Sequence, residues 1–189
     1  MSLGPASPPL TSIDCGVAML RPWRPADLDS LVANANDSSV SRSLRDRFPY
    51  PYTGDDGRAW LARAIDESDR SWAIDIDGNA VGGVGLHVGQ DVHRHSAELG
   101  YWLGQRFWGR GIMTCVLRAF SPTAMDAFQL HRLYAMVYEN NPASARVLEK
   151  AGFGCEGVQR SAVIKRGALL DIFVYARVRP SLSAVSHRD

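Results

Sequence analysis

The segment between residues 105 and 114 has the composition of a loop that binds phosphate groups. It reads Gln-Arg-Phe-Trp-Gly-Arg-Gly-Ile-Met-Thr and lies between a predicted strand and a predicted helix. Gly109 and Gly111 would let the backbone approach a ligand closely, and the helix that follows would offer unpaired N–H groups to an anion. Arg106 and Arg110 add positive charge at the same place. The segment therefore predicts a phosphate loop, with an ordinary strand-to-helix turn as the alternative.

Two other kinds of nucleotide-binding loop fit this segment poorly. A Walker loop requires Gly-Lys followed by Ser or Thr, and no such sequence follows Gly111. A Rossmann loop requires a third glycine where Thr114 stands, and an acidic residue about 20 positions further on. The nearest acidic candidate on a following strand, Glu139, is too distant. Neither of these two classes is therefore indicated.

The periodicity of apolar residues predicts the elements that would position this loop. Strands are predicted at 17–23, 72–75, 80–88, 97–103, 132–138, 153–164 and 168–178. Helices are predicted to begin at Pro25 and to span 54 or 55 to about 67, 109 to about 128, and 142 to 151. The order β-α-α-β-β-β-α-β-α-β-β indicates an α/β (α+β) fold, a mixed sheet with helices against it.

Local signals mark the turns and one irregularity in this pattern. Asp77-Gly78 and Arg166-Gly167 predict tight hairpin turns. Pro122 predicts a kink or a break in its helix, because its ring clashes with the carbonyl of Arg118. Residues 38–53 are predicted to be a loop. The chain is predicted to form one domain over residues 13–179, between flexible tails at 1–12 and 180–189.

Further motifs surround the predicted phosphate loop. They are 20–22 (Leu-Arg-Pro), 48–53 (Phe-Pro-Tyr-Pro-Tyr-Thr), 97–103 (Ala-Glu-Leu-Gly-Tyr-Trp-Leu), 141–144 (Asn-Pro-Ala-Ser) and 147–153 (Val-Leu-Glu-Lys-Ala-Gly-Phe). Together with Arg106-x-x-Gly109-x-Gly111, they resemble the GNAT superfamily of N-acetyltransferases. Within it they resemble the branch that acetylates the N-termini of ribosomal proteins, the RimJ/RimL-like branch. The likeness covers roughly residues 17 to 178.

The resemblance implies a fold and a binding site for acetyl-CoA as co-substrate. The fold is a mixed, mostly antiparallel sheet with helices on both faces, split by a V-shaped opening between the fourth and fifth predicted strands. The pantetheine arm would enter this opening and pair with the backbone of Trp102 and Leu103, and Asn141 would hydrogen-bond the arm. The N–H groups from Phe107 to Met113 would hold the pyrophosphate. The implied cofactor-binding residues are Trp102, Leu103, Arg106, Phe107, Trp108, Gly109, Arg110, Gly111, Ile112, Met113, Asn141, Arg146 and Lys150.

Arg146 and Lys150 have two readings. They are i, i+4 neighbours on one helix, so both can face the adenosine phosphates. The alternative is a solvated helix face.

Acetyl transfer requires a base, because most primary amines are protonated near pH 7 and only the neutral amine attacks. Glu98 on the strand beside the opening is the predicted catalytic base, and Gly100 on the same face leaves space near it. The alternative is a salt-bridged or edge-exposed glutamate. A backbone N–H near Leu103 could stabilise the oxyanion. His87 is a weaker candidate base.

Ser144 is the second predicted catalytic residue, as a hydrogen-bond donor to the departing thiolate, because it matches the family serine that faces the sulfur. The sequence also departs from the family pattern at two positions. Leu148 occupies the position where many GNAT enzymes have a tyrosine, and Val163 the position of a glutamate found in some members of this branch. Much of the rate could therefore come from alignment of the reactants, which can supply about 7–11 kcal/mol.

The amine acceptor is predicted to bind at the first two helices and at residues 38–53, where arginines such as Arg45 and Arg47 mix with aspartates and tyrosines. The carboxylates could hold a cationic amine, and the arginines could meet an acidic or carboxylated acceptor; the alternative is a solvated loop. A protein N-terminus, a polyamine, an aminoglycoside and an amino acid all remain open. Two other functions also remain: a sensor or partner protein that binds acyl-CoA without turnover, and a transferase for a larger acyl group such as succinyl. A homodimer through the apolar helix at 111–128 is possible.

Composition excludes several classes. The 189 residues carry 21 basic and 20 acidic side chains, a net charge of +1, which argues against a dedicated nucleic-acid binder. No run approaches the ~18 apolar residues of a membrane span, and no signal peptide is evident, so a cytoplasmic protein is expected. The three cysteines form no metal or disulfide pattern, and His93 with His95 lacks a third ligand, so no metal site is predicted.

Overall fold

The sheet has eight strands in the order β1-β2-β3-β4-β5-β6-β8-β7 in a computed structural model that describes residues 11–66 and 70–180. The strands are β1 Ile13–Asp14, β2 Met19–Pro22, β3 Ser71–Ile76, β4 Asn79–Val88, β5 Ser96–Leu103, β6 Arg132–Tyr138, β7 Gly154–Lys165 and β8 Ala168–Val178. Neighbouring strands are antiparallel except β5 and β6, which are parallel. The predicted mixed, mostly antiparallel sheet is confirmed.

Helices cover both faces of this sheet. They are α1 Leu28–Ala35, α2 Ser38–Ser41, α3 Gly54–Asp66, α4 Ile112–Ala127 and α5 Pro142–Lys150. Helices α1 and α3 pack on one face, in a core that includes Leu31, Leu61 and Ala73. Helices α4 and α5 pack on the other, where Phe120 and Leu148 are fully buried. The faces separate because side chains alternate along each strand, which gives each face its own apolar row.

The sheet opens where β5 and β6 part. These strands pair at Ser96–Arg132, Ala97–Leu133 and Glu98–Tyr134, over three of the eight residues of β5. Strand β6 pairs along its whole length with β8 on its other side. The rest of β5, through Leu103, therefore runs beside the opening that the family resemblance predicts. The fourth predicted strand is β5 here, because the two-residue strand β1 was not predicted.

Of the predicted kink or break at Pro122, the break is wrong. Helix α4 continues through the proline from Ile112 to Ala127. A proline inside a helix destabilises the helix by about 3 kcal/mol, because one backbone hydrogen bond is lost and the proline ring clashes with the carbonyl four residues earlier. Burial offsets this cost, since Val116, Phe120 and Ala124 on both sides of Pro122 are fully buried against the sheet.

The segment 38–53 is not entirely the predicted loop, since it begins with the short helix α2. Asp37 starts this helix, because its carboxylate accepts a hydrogen bond from the N–H of Ser39 at 2.7 Å. Both predicted hairpin turns are present. Asp77 and Gly78 have φ of 52° and 82°, and Arg166 and Gly167 have φ of 50° and 80°, which suits two-residue turns that match the strand twist.

The predicted limits of the domain fall at the edges of the described residues. The tails at 1–12 and 180–189, and the end of the second predicted helix near Glu67, lie largely or wholly outside them. The single domain from 13 to 179 stays a prediction. Within the described ranges, no helix combines the length and apolar composition that crossing a bilayer takes.

Candidate active site

The loop between β5 and α4 has the backbone that a phosphate site needs. Gly109 and Gly111 have φ of 73° and 77°, in the left-handed region that other residues enter only with strain. A Cβ atom at either position would meet no atom within 4 Å. The glycines are therefore required by the direction of the backbone, and the loop surface beside them is open.

Helix α4 begins at this loop without a side-chain cap. Gly111 is its N-cap residue and contributes no side-chain hydrogen bond, so the N–H groups of the first turn remain for an anion. The N–H groups of Phe107 and Trp108 donate to the carbonyls of Gly104 and Gln105, each at 3.0 Å. The predicted row of anion-binding N–H groups is thereby shortened to residues 109–113.

Aromatic and cationic side chains surround the same loop. The guanidinium groups of Arg106 and Arg110 lie 4.9 and 5.7 Å from the centre of the Phe107 ring. The indole Nε1 of Trp108 donates to the carbonyl of Leu103 at 2.7 Å, which anchors the loop to the last residue of β5. The two arginines are exposed, so their charge is available to a ligand near α4.

Helix α5 begins beside the opening with Asn141 as its cap. The side-chain oxygen of Asn141 accepts from the N–H of Ser144 at 3.2 Å. This contact leaves the amide NH₂ group of Asn141 as the one that can donate to a ligand. Arg146 and Lys150, further along α5, are both exposed.

Ser144 is hydrogen-bonded to a tyrosine that sequence analysis missed. The hydroxyl groups of Tyr101 and Ser144 lie 2.6 Å apart. Burial raises the pKa of Tyr101 above its usual range, so this phenol stays protonated. The alternation along residues 97–103 could have revealed it, because it places Tyr101 on the same face as Leu99 and Leu103, toward α5.

Glu98 lies on the opposite face of β5 in a row across three strands. Its register partners are His87 on β4 and Tyr134 on β6. The Glu98 carboxylate forms an ion pair with Arg45 at 2.5 Å, and the Glu98 side chain is 17% exposed. Of the two alternatives for Glu98, the structure thus shows the salt-bridged state, in which Arg45 contacts one of the two carboxylate oxygens.

A second arginine contacts the neighbouring histidine. Nη2 of Arg47 lies 3.0 Å from Nε2 of His87. Because a guanidinium only donates, Nε2 must accept, which places the ring proton of a neutral His87 on Nδ1. Both candidate bases therefore contact arginines from the segment between α2 and α3.

An open cavity of about 480 Å³ adjoins this row of residues. Its wall mixes histidine, aromatic, amide and apolar side chains from five strands and from the turn before β5. The lining residues are His87, Gly89, Val92, His93, His95, Ser96, Arg132, Tyr134, Met136, Gln159 and Val174. The cavity can admit a small acceptor from the face opposite α4 and α5.

The histidines near this cavity do not form a metal site. Across residues 11–66 and 70–180, no three His, Cys, Asp or Glu side chains are grouped as ligands. His95 instead contacts the carbonyl of Gln129 through Nδ1 at 2.9 Å, and its ring packs at 5.5 Å from that of His131.

Comparison with known proteins identifies the family. A model described as "Acetyltransferase (GNAT) domain" matches residues 18–154. The chain belongs to the GNAT acetyltransferase family. This confirms the family resemblance noted in the sequence.

Relatives of this GNAT acetyltransferase include ribosomal and small-molecule enzymes. The putative ribosomal N-acetyltransferase YdaF of Bacillus subtilis is 32% identical over 120 residues, which are 64% of this chain and 65% of that protein. Spermidine N(1)-acetyltransferase of Escherichia coli K12 is 27% identical over 138 residues, 73% of each chain. The matches to the first three curated relatives span between 47% and 65% of their lengths.

A solved structure with the same fold contains a derivative of CoA. Mycobacterium smegmatis RimJ in complex with CoA-disulfide has a TM-score of 0.74 and 27% identity, over 90% of this chain and 86% of that chain. Three features of this chain fit a derivative of CoA. Helix α4 begins without a side-chain cap beside two arginines, which suits phosphate groups. Strands β5 and β6 part after three residue pairs, and the hydroxyl groups of Tyr101 and Ser144 lie at this opening. A RimJ/RimL-like GNAT fold is thus supported by both the sequence and the structural comparison.

Proposed function

We propose that this GNAT acetyltransferase moves the acetyl group of acetyl-CoA to a primary amine by direct attack in a ternary complex. The observation that carries the proposal is the arrangement on β5. Glu98 and Tyr101 point to opposite faces of this strand, about 10 Å apart along it, just where β5 parts from β6. A proton acceptor for the amine and a hydroxyl pair for the sulfur thus flank the opening from its two sides.

The reaction forms one bond and breaks one. The amine nitrogen bonds to the acetyl carbon, and the bond between that carbon and the CoA sulfur breaks. The ammonium form of the amine loses two protons in all. One leaves to Glu98, directly or through water, before attack, and the second leaves the nitrogen after attack and protonates the departing thiolate, which accepts a hydrogen bond from Ser144. An N–H group of the β5 backbone near Leu103 stabilises the oxyanion between these steps.

The tyrosine beside Ser144 supports the sulfur side of this proposal. Leu148, at the position where many GNAT enzymes have a tyrosine, is 0% exposed and packs in the core. In this chain a phenol reaches the same helix start from β5, through the 2.6 Å contact between Tyr101 and Ser144. We infer that Tyr101 donates to Ser144, and Ser144 donates to the thiolate.

The acceptor is a primary amine, either a protein N-terminus or a small molecule. The open cavity beside Glu98 has room for a side chain or a short peptide end. The names of the relatives span both kinds of acceptor, since YdaF is described as ribosomal and another relative acts on spermidine.

Release of free thiol from acetyl-CoA, against a panel of peptides, amino acids, polyamines and aminoglycosides, tests the proposal. We expect amine-dependent release that falls by about 100-fold or more in Glu98→Gln, in line with the contribution of a general base. Asp126→Asn is the control for the loss of a carboxylate, because Asp126 pairs with Arg179 at the end of α4, away from the cavity and the opening.

Each result has a distinct meaning. Equal rates in Glu98→Gln and the parent would remove Glu98 as base. Binding of acetyl-CoA without release of thiol in the presence of any amine would favour a sensor or partner protein. Val163 and the ion pair between Arg45 and Glu98 are consistent with that alternative. Faster release from succinyl-CoA than from acetyl-CoA would favour the larger acyl group.

A further inference from the structure

The segment between α2 and α3 is attached to both sides of the parted sheet by charged contacts. Arg45 pairs with Glu98 on β5, and Arg47 contacts His87 on β4. Between them, Asp46 pairs with Lys165 at 2.6 Å, at the end of β7. The three consecutive residues 45–47 therefore bridge the strands on the two sides of the opening.

Positive charge exceeds negative charge around this bridge. Arg45 and Lys165 pair with the carboxylates of Glu98 and Asp46. Arg47 and Arg166 contact the neutral partners His87 and the carbonyl of Ser38. Lys165 is 7% exposed and is neutralised by Asp46, whereas Arg45 remains 45% exposed. The charge open to an incoming ligand is thus that of the arginines.

We propose that the acceptor is an amine that also carries a carboxylate, such as an amino acid or an acidic peptide, and that Arg45 binds this carboxylate. The inference rests on the proposed acetyl transfer and names its substrate class. Arg45 and Glu98 present one positive and one negative charge side by side. A zwitterionic acceptor presents the same two charges, so each protein group can exchange its present partner for one on the acceptor.

This exchange also frees the base. While Arg45 holds Glu98, its guanidinium occupies the carboxylate oxygen Oε1. When the acceptor carboxylate takes over Arg45, this oxygen of Glu98 becomes available to the ammonium group of the same molecule. Glu98 then removes the proton that blocks attack. Arg45 can exchange its partner because its side chain is 45% exposed and water already competes for it.

Polyamines fit this arrangement less well. A polyamine has no anionic group to draw Arg45 from Glu98, and its own charges are repelled by Arg45 and Arg47. The chemistry of these contacts therefore separates this chain from its spermidine-acetylating relative.

Matched acceptors test the inference through thiol release from acetyl-CoA. Within each pair, the two acceptors differ only in a carboxylate that is replaced by a neutral amide. The pairs are alanine with alaninamide, and Ala-Glu amide with Ala-Gln amide. Spermidine is added as an acceptor that carries only positive charge. We expect kcat/KM to be at least about tenfold higher for the acid of the preferred pair, the effect of one charge-assisted hydrogen bond. In Arg45→Gln, the ratio of acid to amide should fall to near one.

Arg58→Gln controls for the loss of an arginine, because Arg58 forms its ion pair with Asp55 on the exposed side of α3. This variant should keep the ratio of the parent. A purely structural role for Arg45 would lower both rates equally and leave the ratio unchanged, which would overturn the inference. A faster reaction with spermidine than with any acid would do the same.

A binding measurement separates this inference from the proposed function. Titration calorimetry with the product pair N-acetylalanine and N-acetylalaninamide, and with the N-acetylated dipeptides, needs no turnover. Without thiol release from any amine, the transferase proposal fails, and tighter binding of the acids that is lost in Arg45→Gln still supports the anion site. Equal binding of acids and amides rejects the anion site even if acetyl transfer is confirmed.

Discussion

We infer that the hydroxyl of Tyr101 acts on the reaction through Ser144. Burial raises the pKa of the phenol, which keeps it protonated, and we assign it as the donor in the 2.6 Å hydrogen bond between the two hydroxyl groups. A serine oxygen that accepts from tyrosine is free to point its own proton at a thiolate. The pair therefore delivers a stronger donor than a lone serine, since hydrogen bonds in a chain polarise one another.

Tyr101→Phe should lower kcat by about tenfold, the effect of one lost hydrogen bond in the transition state. KM for acetyl-CoA should change little, because Tyr101 acts on the sulfur only as the bond breaks. Steady-state kinetics of thiol release measures both constants. Tyr175→Phe is the control, since its hydroxyl contacts Glu149 at 3.2 Å, away from the opening. An unchanged kcat in Tyr101→Phe would show that Ser144 works alone.

Individual site residues were predictable only where a motif names them. Glu98, Ser144 and the loop glycines were singled out from their sequence context, and Arg45 as one of several arginines in the predicted acceptor loop. The contacts of Arg45 with Glu98 and of Tyr101 with Ser144 were not predicted, because the partners lie 53 and 43 residues apart along the chain. Long-range contacts of this kind depend on how strands and loops meet in the fold. No local spacing encodes the ion pair between Arg45 and Glu98.

The turn from β5 into α4 depends on two residues with left-handed backbone. Both glycines of the loop have φ above 70°, and Gly111 is also the first residue of the α4 cap. An L-residue with a side chain pays roughly 1–2 kcal/mol to adopt this conformation. The chain would relieve this strain by rotating peptide groups of the loop, and these are the groups whose N–H bonds we propose to hold the pyrophosphate.

Gly111→Ala should therefore raise KM for acetyl-CoA and lower the free energy of unfolding by about 1–2 kcal/mol. Urea denaturation and steady-state kinetics measure the two effects. Gly154→Ala on β7 is the matched control, because a Cβ there also meets nothing within 4 Å and its φ is not positive. If both variants behave alike, the left-handed backbone of Gly111 is not what the site requires.

The elements were predictable where the local signal and the tertiary contacts agree. The Asp77-Gly78 hairpin and helix α3 follow from turn chemistry and apolar spacing alone. The continuity of helix α4 through Pro122 does not follow from local signals, because it depends on residues buried against the sheet. The two-residue strand β1 was missed because so short a segment has no periodicity to detect.

The whole molecule is built from two groups of strands that meet along a short seam. Strands β1 to β5 form one antiparallel group and β6, β8 and β7 the other, and three residue pairs of β5 and β6 join them. Helix α4 crosses from β5 to β6, and residues 45–47 bridge the same gap on the opposite face. We therefore expect a ligand bound in the gap to contact both groups of strands and to stabilise the sheet.

Stability of the first group depends on a buried charge network around Arg21. Its guanidinium donates to both oxygens of Asp27, at 2.8 and 2.7 Å, and to Asp75 at 2.6 Å, and its side chain is 6% exposed. These contacts connect β2, the turn before α1 and β3. They also give a physical reason for the Leu-Arg-Pro motif at residues 20–22, since no other side chain donates in this forked geometry.

Arg21→Leu should lower the free energy of unfolding by about 3–5 kcal/mol, because it leaves the Asp27 carboxylate buried without its cation. Arg58→Leu should cost less than about 1 kcal/mol, because its pair with Asp55 is exposed to water. Urea denaturation of both variants and the parent measures the difference. A loss in Arg21→Leu no larger than in Arg58→Leu would mean that apolar packing alone holds β2 and α1 against β3. A large loss would show that one buried cation joins three elements on the side of the sheet that carries Glu98.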